Sequence, residues 1–94
     1  MKVFFQSDFE EHVFTDSDHD VLASVDCQEI NMKSLYNVLP VIGDKINFSI
    51  IDFVDNEVNT IASKGLDGIR NLPFTVTERV FDINGIYLYC SFIE

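Results

Sequence analysis

The clearest alternation of apolar and polar residues lies at the C-terminal end of the chain, from Pro73 to Glu94. Asn84-Gly85 separates two runs of β-branched and aromatic residues there, and this dipeptide between such runs predicts a β-hairpin. Pairing the two strands about a two-residue turn places Ile83 opposite Ile86. Alternation then collects six apolar side chains on one face of the hairpin, which needs a cover: Phe81, Ile83, Ile86, Leu88, Cys90 and Phe92.

Four further segments have the alternation or the β-branched and aromatic content of strands. Residues 1–6 predict a first strand, and residues 21–27 predict a half-buried one. Residues 45–54 have apolar side chains on both faces, which indicates a central strand. Residues 57–63 are more polar, which is typical of an edge strand that returns beside it. Together with the hairpin, these segments predict a sheet of about five to six strands.

Two segments have features of short helices. Asn31 is a favourable N-cap residue, and the apolar residues of 32–39 follow it at helical spacing. We expect this helix to cover the sheet. Residues 7–14 begin with the Ser-x-x-Glu spacing of a capping box, which predicts another short helix. This segment is too short for periodicity to decide, and a strand over residues 9–15 is the alternative.

The order of these elements predicts one domain of the α+β class over residues 1–94. Its sheet is expected to be mostly antiparallel, with one or two short helices on a face. A chain with 47% hydrophobic residues is not intrinsically disordered, because disorder requires low hydrophobicity. The sequence has neither an apolar run of about 18 residues that could cross a membrane nor the long apolar segment of a secretory signal. We therefore expect a cytoplasmic protein.

The charge of the chain changes this picture. Sixteen carboxylates oppose six Lys and Arg residues, which gives a formal net charge of −10. Up to residue 29, eight carboxylates oppose Lys2 alone, a local net of −7. Because concentrated like charge is electrostatically costly, this distribution indicates a negative face that is kept for a partner. The predicted partner-binding residues are Asp8, Glu10, Glu11, Asp16, Asp18, Asp20, Asp26 and Glu29.

A negative face favours a basic protein as partner and disfavours nucleic acid and anionic membranes, since phosphate would be repelled. We therefore predict a small acidic inhibitor that binds and blocks a basic, nucleic-acid-processing protein. One version is a phage-encoded inhibitor of a restriction or CRISPR effector, which acts in the host cytoplasm and whose carboxylates mimic DNA phosphates. The other version is an immunity protein that neutralises a nuclease toxin.

Three other interpretations remain open from the residues alone. The charge could simply keep an aromatic-rich chain soluble. The protein could be a homo-oligomeric interaction module, with a homodimer through the sheet face that carries Tyr87 and Tyr89. It could also bind a divalent metal, because residues 16–20 have the Asp-x-Asp-x-Asp start of a calcium loop. That loop departs from the pattern at Val21, where glycine is needed, and at Cys27, where glutamate is needed, so no metal site is predicted.

Residues that could support catalysis are sparse. His12 and His19 both lie in the most acidic part of the chain, which is typical of solvated side chains. The sequence has no Gly-x-Ser-x-Gly elbow, phosphate-binding loop or dinucleotide fingerprint. Cys27 and Cys90 fall on the apolar sides of predicted strands, so both are expected to be buried thiols rather than a disulfide or zinc ligands. We therefore expect no enzymatic activity and no cofactor.

Overall fold

A computed structural model describes residues 1–8, 16–64 and 73–92 of the chain. Most of the predicted helix over residues 7–14, and the alternative strand over residues 9–15, lie outside the described residues, but Ser7 and Asp8 belong to the first strand and do not begin a helix. Within the described residues, two short 3-10 helices accompany five strands and two α-helices. The 3-10 helices are Met32–Leu35 and Phe48–Ile50. The other elements, in chain order, are β1 (Val3–Asp8), α1 (Asp16–Val25), β2 (Gln28–Glu29), β3 (Lys45–Asn47), α2 (Asn56–Lys64), β4 (Pro73–Asp82) and β5 (Gly85–Phe92).

The strands of the described residues form one sheet in the order β2-β1-β5-β4-β3. β1 and β5 run parallel, with Val3 beside Ile86, and the other three strand pairs are antiparallel. β1 therefore lies between β2 and the C-terminal strand β5, on the side of β5 opposite β4. The predicted α+β class, with a mostly antiparallel sheet and short helices, is confirmed.

The predicted C-terminal hairpin is present, but its register differs by one residue from the prediction. Asp82 lies opposite Gly85 and Phe81 lies opposite Ile86, so the two turn residues are Ile83 and Asn84. Gly85 is instead the first residue of β5, with a φ of 143°. A side chain at Gly85 would collide with the carbonyl of Lys2, the residue before β1, which accepts a 2.9 Å hydrogen bond from the Ile86 amide. The glycine is therefore required by the close approach of β1.

The hairpin has an irregularity in β4, and it buries only part of the apolar face that was predicted. The register shifts between Val76 and Glu78, as in a β-bulge. Ile86, Leu88 and Cys90 are buried as predicted. Phe81 and Ile83 were expected beside them but are 68% and 96% exposed, because they lie at the tip of the hairpin beyond the helices.

Residues 21–27 form the end of a helix rather than the predicted strand. Val21, Leu22 and Val25 are buried, which is helical spacing and not alternation. The acidic segment of residues 16–20, predicted as a loop, forms the first half of this helix, α1. Negative charge near a helix N-terminus is favourable because it opposes the positive end of the helix dipole.

Residues 57–63 form most of helix α2 rather than the predicted return strand. The Asp55 carboxylate caps this helix and accepts hydrogen bonds from the amides of Glu57, at 2.8 Å, and Val58, at 3.3 Å. Val58 and Ala62, four residues apart, are the buried positions of α2. The pattern of a short polar segment like this one fits both the helical and the strand period, and the N-cap favours the helix.

The region between the two α-helices is less regular than predicted. Asn31 caps a helix as expected, with its side-chain oxygen 3.1 Å from the Lys33 amide, but this is a single 3-10 turn. Tyr36 and Asn37, with φ angles of 58° and 57°, end it in left-handed conformation. Residues 45–54 do not form a central strand, because the chain leaves the edge strand β3 after Asn47 and enters a second 3-10 turn.

The core lies between one face of the sheet, called the inner face here, and the helices. Phe5 of β1 is at its centre, and its ring centroid lies 5.5 Å from Phe74, 5.7 Å from Phe48 and 6.1 Å from Phe53. These edge-on contacts are the arrangement that aromatic pairs prefer. Both α-helices and Leu35 of the first 3-10 turn contribute buried side chains to the same cluster. The cover predicted from residues 32–39 is therefore supplied mainly by α1 and α2.

Candidate protein-binding surface

Six of the eight predicted partner-binding residues lie on or beside three consecutive elements, and Glu10 and Glu11 lie outside the described residues. Asp8 is the last residue of β1, and Glu29 ends β2, which pairs with β1. Asp26 follows the last residue of α1. Asp16, Asp18 and Asp20 all belong to the first half of α1 and span about 6 Å along its axis.

Asp26 is tied to the strand beside it. Its carboxylate accepts hydrogen bonds from the Gln6 side-chain amide, at 3.2 Å, and from the Ser7 backbone amide, at 3.3 Å. These contacts join the end of α1 to β1. Asp26 therefore has a structural role in addition to the charge for which the sequence analysis selected it.

Asp20 contrasts with Asp26 because its side chain is exposed. It is the fifth residue of α1, beyond the first turn where the helix dipole acts most strongly. Its backbone carbonyl accepts a 2.8 Å hydrogen bond from the Ser24 hydroxyl, which is a contact within the helix and leaves the carboxylate facing solvent. A carboxylate placed in this way is accessible to a partner.

A second group of carboxylates lies at the start of α2. Asp52 and Glu57 are exposed, and Asp55 is the N-cap described above. α2 packs against α1, so this group adds negative charge to the same helical layer of the molecule. This group was not among the predicted partner-binding residues.

A polar cavity of about 330 Å³ lies next to this second group. The cavity is lined by Phe48, Ser49, Ile51, Asp52, Asn59 and Ala62, together with Thr60. Of the described residues that line it, Asp52 is the one that carries a charge. Among the described residues, no three His, Cys, Asp or Glu side chains come close enough together to hold a metal ion.

The two cysteines differ from each other in a way that the sequence did not predict. Cys90 is buried as expected, and burial raises the pKa of its thiol to about 12. Cys27 was expected to be buried but is exposed, because the chain turns there with a φ of 61°. Its thiol donates a 2.9 Å hydrogen bond to the Gln6 side-chain oxygen. Partial burial and the neighbouring Asp26 carboxylate both raise the pKa of Cys27. Both thiols therefore retain their protons at neutral pH, where a thiolate would be the reactive form.

The outer face of the sheet, opposite the core, carries the aromatic residues that were considered for a homodimer. The rings of Phe4 and Tyr87 stack at 4.9 Å with an angle of 22° between their planes. Tyr89 and Val80 are partly exposed on the same face. The helices described here bury their apolar side chains on the inner face.

A second apolar surface was not predicted from the sequence. We call it the edge patch, and it consists of Tyr36, Val38, Val41, Ile42 and Ile50, whose exposed fractions lie between 43% and 83%. Tyr36 was expected to pack against the sheet on the predicted helix. It is instead the most exposed member of the patch, because the 3-10 helix ends there and the left-handed backbone turns away from the core.

Comparison of the chain with protein-family models, with curated proteins and with solved structures finds no match. Among the described residues, no helix has the length and apolar character needed to cross a membrane. The surface of the described residues is therefore the basis for the proposed function.

Proposed function

We propose that this protein is a small acidic inhibitor, which binds and blocks a basic protein that acts on nucleic acid in the cytoplasm. The observation that supports the proposal is the concentration of charge, a net of −7 within residues 1–29 of a chain whose total is −10. Two versions have this chemistry: a phage inhibitor of a restriction or CRISPR effector, and an immunity protein against a nuclease toxin. In the phage version, the carboxylates occupy the positions of DNA phosphates.

The position of the charged segment supports this use. β1, α1 and β2 are neighbours in the fold, so Asp8, Asp26 and the start of α1 belong to one contiguous part of the molecule. A surface of one sign attracts a partner of the opposite sign from a distance and raises the association rate by about 10- to 1000-fold at low salt. Each exposed charge pair adds only about 0 to 1 kcal/mol to affinity, so the main effect is on the association rate.

The chemistry of the remaining side chains also supports binding rather than catalysis. A nucleophilic cysteine needs a lowered pKa, whereas the pKa values of Cys27 and Cys90 are both raised. Among the described residues that line the polar cavity beside α2, Asp52 is the one carboxylate, where acid and base catalysis uses a positioned pair or a histidine.

The experiment begins with immobilised protein as bait in a cell lysate at low and at high salt. Proteins that are captured at low salt and released at high salt are identified by mass spectrometry, and their binding is then measured by surface plasmon resonance. The test variant replaces Asp16, Asp18 and Asp20 by asparagine. The matched control removes three negative charges from exposed positions outside the helical layer, as Asp44→Asn, Glu78→Gln and Asp82→Asn.

The test variant should associate about tenfold more slowly at low salt, with a weaker dependence of the rate on salt, because the steering charge is lost. The control should stay within about twofold of the original rate, since the same total charge is removed from other surfaces. Equal association rates for the test variant and the unchanged protein would show that α1 does not face the target. If the captured proteins are not basic, the proposal fails at its first step.

A further inference from the structure

We infer that the edge patch is a homodimer surface, on which a second copy of this chain docks with its own edge patch. This inference does not depend on the proposed function, because the edge patch contains none of the predicted partner-binding carboxylates. It rests on three observations: the size of the exposed apolar area, the hydrogen-bonded backbone of Tyr36, and the local charge.

The edge patch surrounds a groove of about 330 Å³ at the β3 end of the sheet. The apolar lining of the groove consists of Leu35, Tyr36, Val38, Pro40, Ile46 and Ile50. β3 is the last strand in the sheet order of the described residues, so the groove lies beside a sheet edge. Edges with exposed apolar side chains favour association with another chain.

The area of the edge patch matches what a dimer needs. The exposed fractions of its five side chains correspond to roughly 500 Å² of apolar surface. This is at the upper end of the largest patch on a typical monomer, about 300–600 Å². Two such patches in contact would bury about 1,000 Å², which is the lower limit for a specific interface.

Tyr36 is held in place by the backbone. Its amide bonds to the carbonyls of Lys33 and Met32, and the Asn37 amide also bonds to Met32, at 2.9 Å. Both Tyr36 and Asn37 have the left-handed conformation that aromatic residues rarely adopt. A backbone that is already hydrogen-bonded loses little conformational entropy on binding, which makes Tyr36 a suitable anchor.

The local charge favours a second copy at this surface over the basic target. Residues 31–51 contain Lys33, Lys45 and Asp44, a net of +1, in a chain whose total is −10. Two copies that met through most other surfaces would bring like charges together, whereas the edge patch has no excess of negative charge. Lys33 and Lys45 are exposed, and a net of +1 repels a strongly basic target more than it repels a second copy of the same patch. The two interactions therefore use different surfaces.

The test measures the oligomeric state by analytical ultracentrifugation from micromolar to millimolar protein concentration. The test variant combines Tyr36→Asn with Ile42→Ser, and asparagine is chosen because it tolerates the left-handed backbone. The matched control combines Phe81→Ser with Ile83→Ser, which removes two exposed apolar side chains from the hairpin tip. All four positions are exposed, and circular dichroism verifies that both variants are folded.

The unchanged protein should dimerise, and the test variant should raise the dimer dissociation constant at least about tenfold, while the control changes it less than about threefold. Added salt should strengthen the dimer because it screens the repulsion between two chains of charge −10. This dependence is opposite to that expected for binding of a basic target, so the two proposals can fail separately. A protein that stays monomeric at millimolar concentration, or a dimer weakened equally by both variants, would overturn the inference. A dimer disrupted only by the control would place the interface at the hairpin tip.

Discussion

The side chain of Asn59 offers the sharpest test of how the helical layer is held to the core. Its oxygen accepts a 2.6 Å hydrogen bond from the Phe53 amide, and its nitrogen donates a 2.8 Å bond to the Phe53 carbonyl. Phe53 is buried and forms an isolated antiparallel β-bridge with Ile30. The hydrogen bonds of this bridge are donated by the amides of Val54 and Asn31, so the amide and carbonyl of Phe53 itself are not used in it. α2 thus satisfies the backbone of a core residue in a segment outside the named helices and strands.

Replacing Asn59 by alanine would leave the amide and the carbonyl of Phe53 without these partners. An unsatisfied buried polar group costs about 1–3 kcal/mol, and both groups are partly buried, so we expect a loss of about 2–3 kcal/mol in the free energy of unfolding. This is a large fraction of the 5–15 kcal/mol typical of a domain. Urea denaturation followed by circular dichroism measures the change.

Asn56→Ala is the matched control, because it makes the same substitution at an exposed position of the same helix. It should change the free energy of unfolding by less than about 0.5 kcal/mol. The denaturant dependence of both variants should equal that of the unchanged protein, which shows that the unfolded states are comparable. If Asn59→Ala and Asn56→Ala have the same effect within about 0.5 kcal/mol, the two hydrogen bonds do not hold the core segment.

Three further predictions concern the backbone and the thiols. Gly85→Ala should lower the free energy of unfolding by about 3 kcal/mol or more in urea denaturation, because the new methyl group meets the backbone of Lys2. Gly43→Ala should lower it by only about 1 kcal/mol, since the surroundings of Gly43 are open. Tyr36→Gly should raise the free energy of unfolding of dilute protein by about 0.5–1 kcal/mol, because glycine adopts the left-handed conformation without strain. A thiol reagent should modify the exposed Cys27 in the folded protein and the buried Cys90 only after unfolding. Equal effects of the two glycine variants, a destabilising Tyr36→Gly, or equal labelling of both thiols would contradict these expectations.

The hairpin could be predicted from the sequence because its features are local, whereas its register could not. Asn84-Gly85 between two β-branched and aromatic runs indicates a turn whatever surrounds it. The use of Gly85 as a strand residue depends on the close approach of Lys2, which is distant in sequence. A contact of that kind has no local pattern, so the turn was placed one residue too late.

Both α-helices were missed because short segments satisfy two periods at once. Val21 and Val25 belong to the alternating set and also to the helical set, and the burial of Leu22 and the exposure of Ala23 separate the two. For α2, the deciding feature was present in the sequence at Asp55, two residues before Glu57. An aspartate at that position is a favourable N-cap, and it should have outweighed a weak alternation.

The edge patch could not be predicted because apolar residues at helical spacing are expected to lie in the core. The nine phenylalanines and the other apolar residues make up 47% of the chain, more than a core of this size encloses. Tyr36 fits helical spacing after Asn31, and only the early end of the 3-10 helix exposes it. The left-handed conformation of two successive non-glycine residues has no sequence pattern that predicts it.

The negative charge of residues 8–29 has two physical uses in this fold, and the structure distinguishes them residue by residue. Asp26 joins α1 to β1 through two hydrogen bonds, so its carboxylate contributes to stability whether or not a partner exists. Asp16 and Asp18 lie in the first turn of α1, where the helix dipole alone rewards negative charge by about 0.3–1 kcal/mol. Asp20 lies beyond that turn with an exposed side chain, and neither effect accounts for it. A purely structural explanation of the charge gives the Asp20 carboxylate no role, whereas the proposed acidic binding surface does. Asp20 is therefore the position that distinguishes the two explanations.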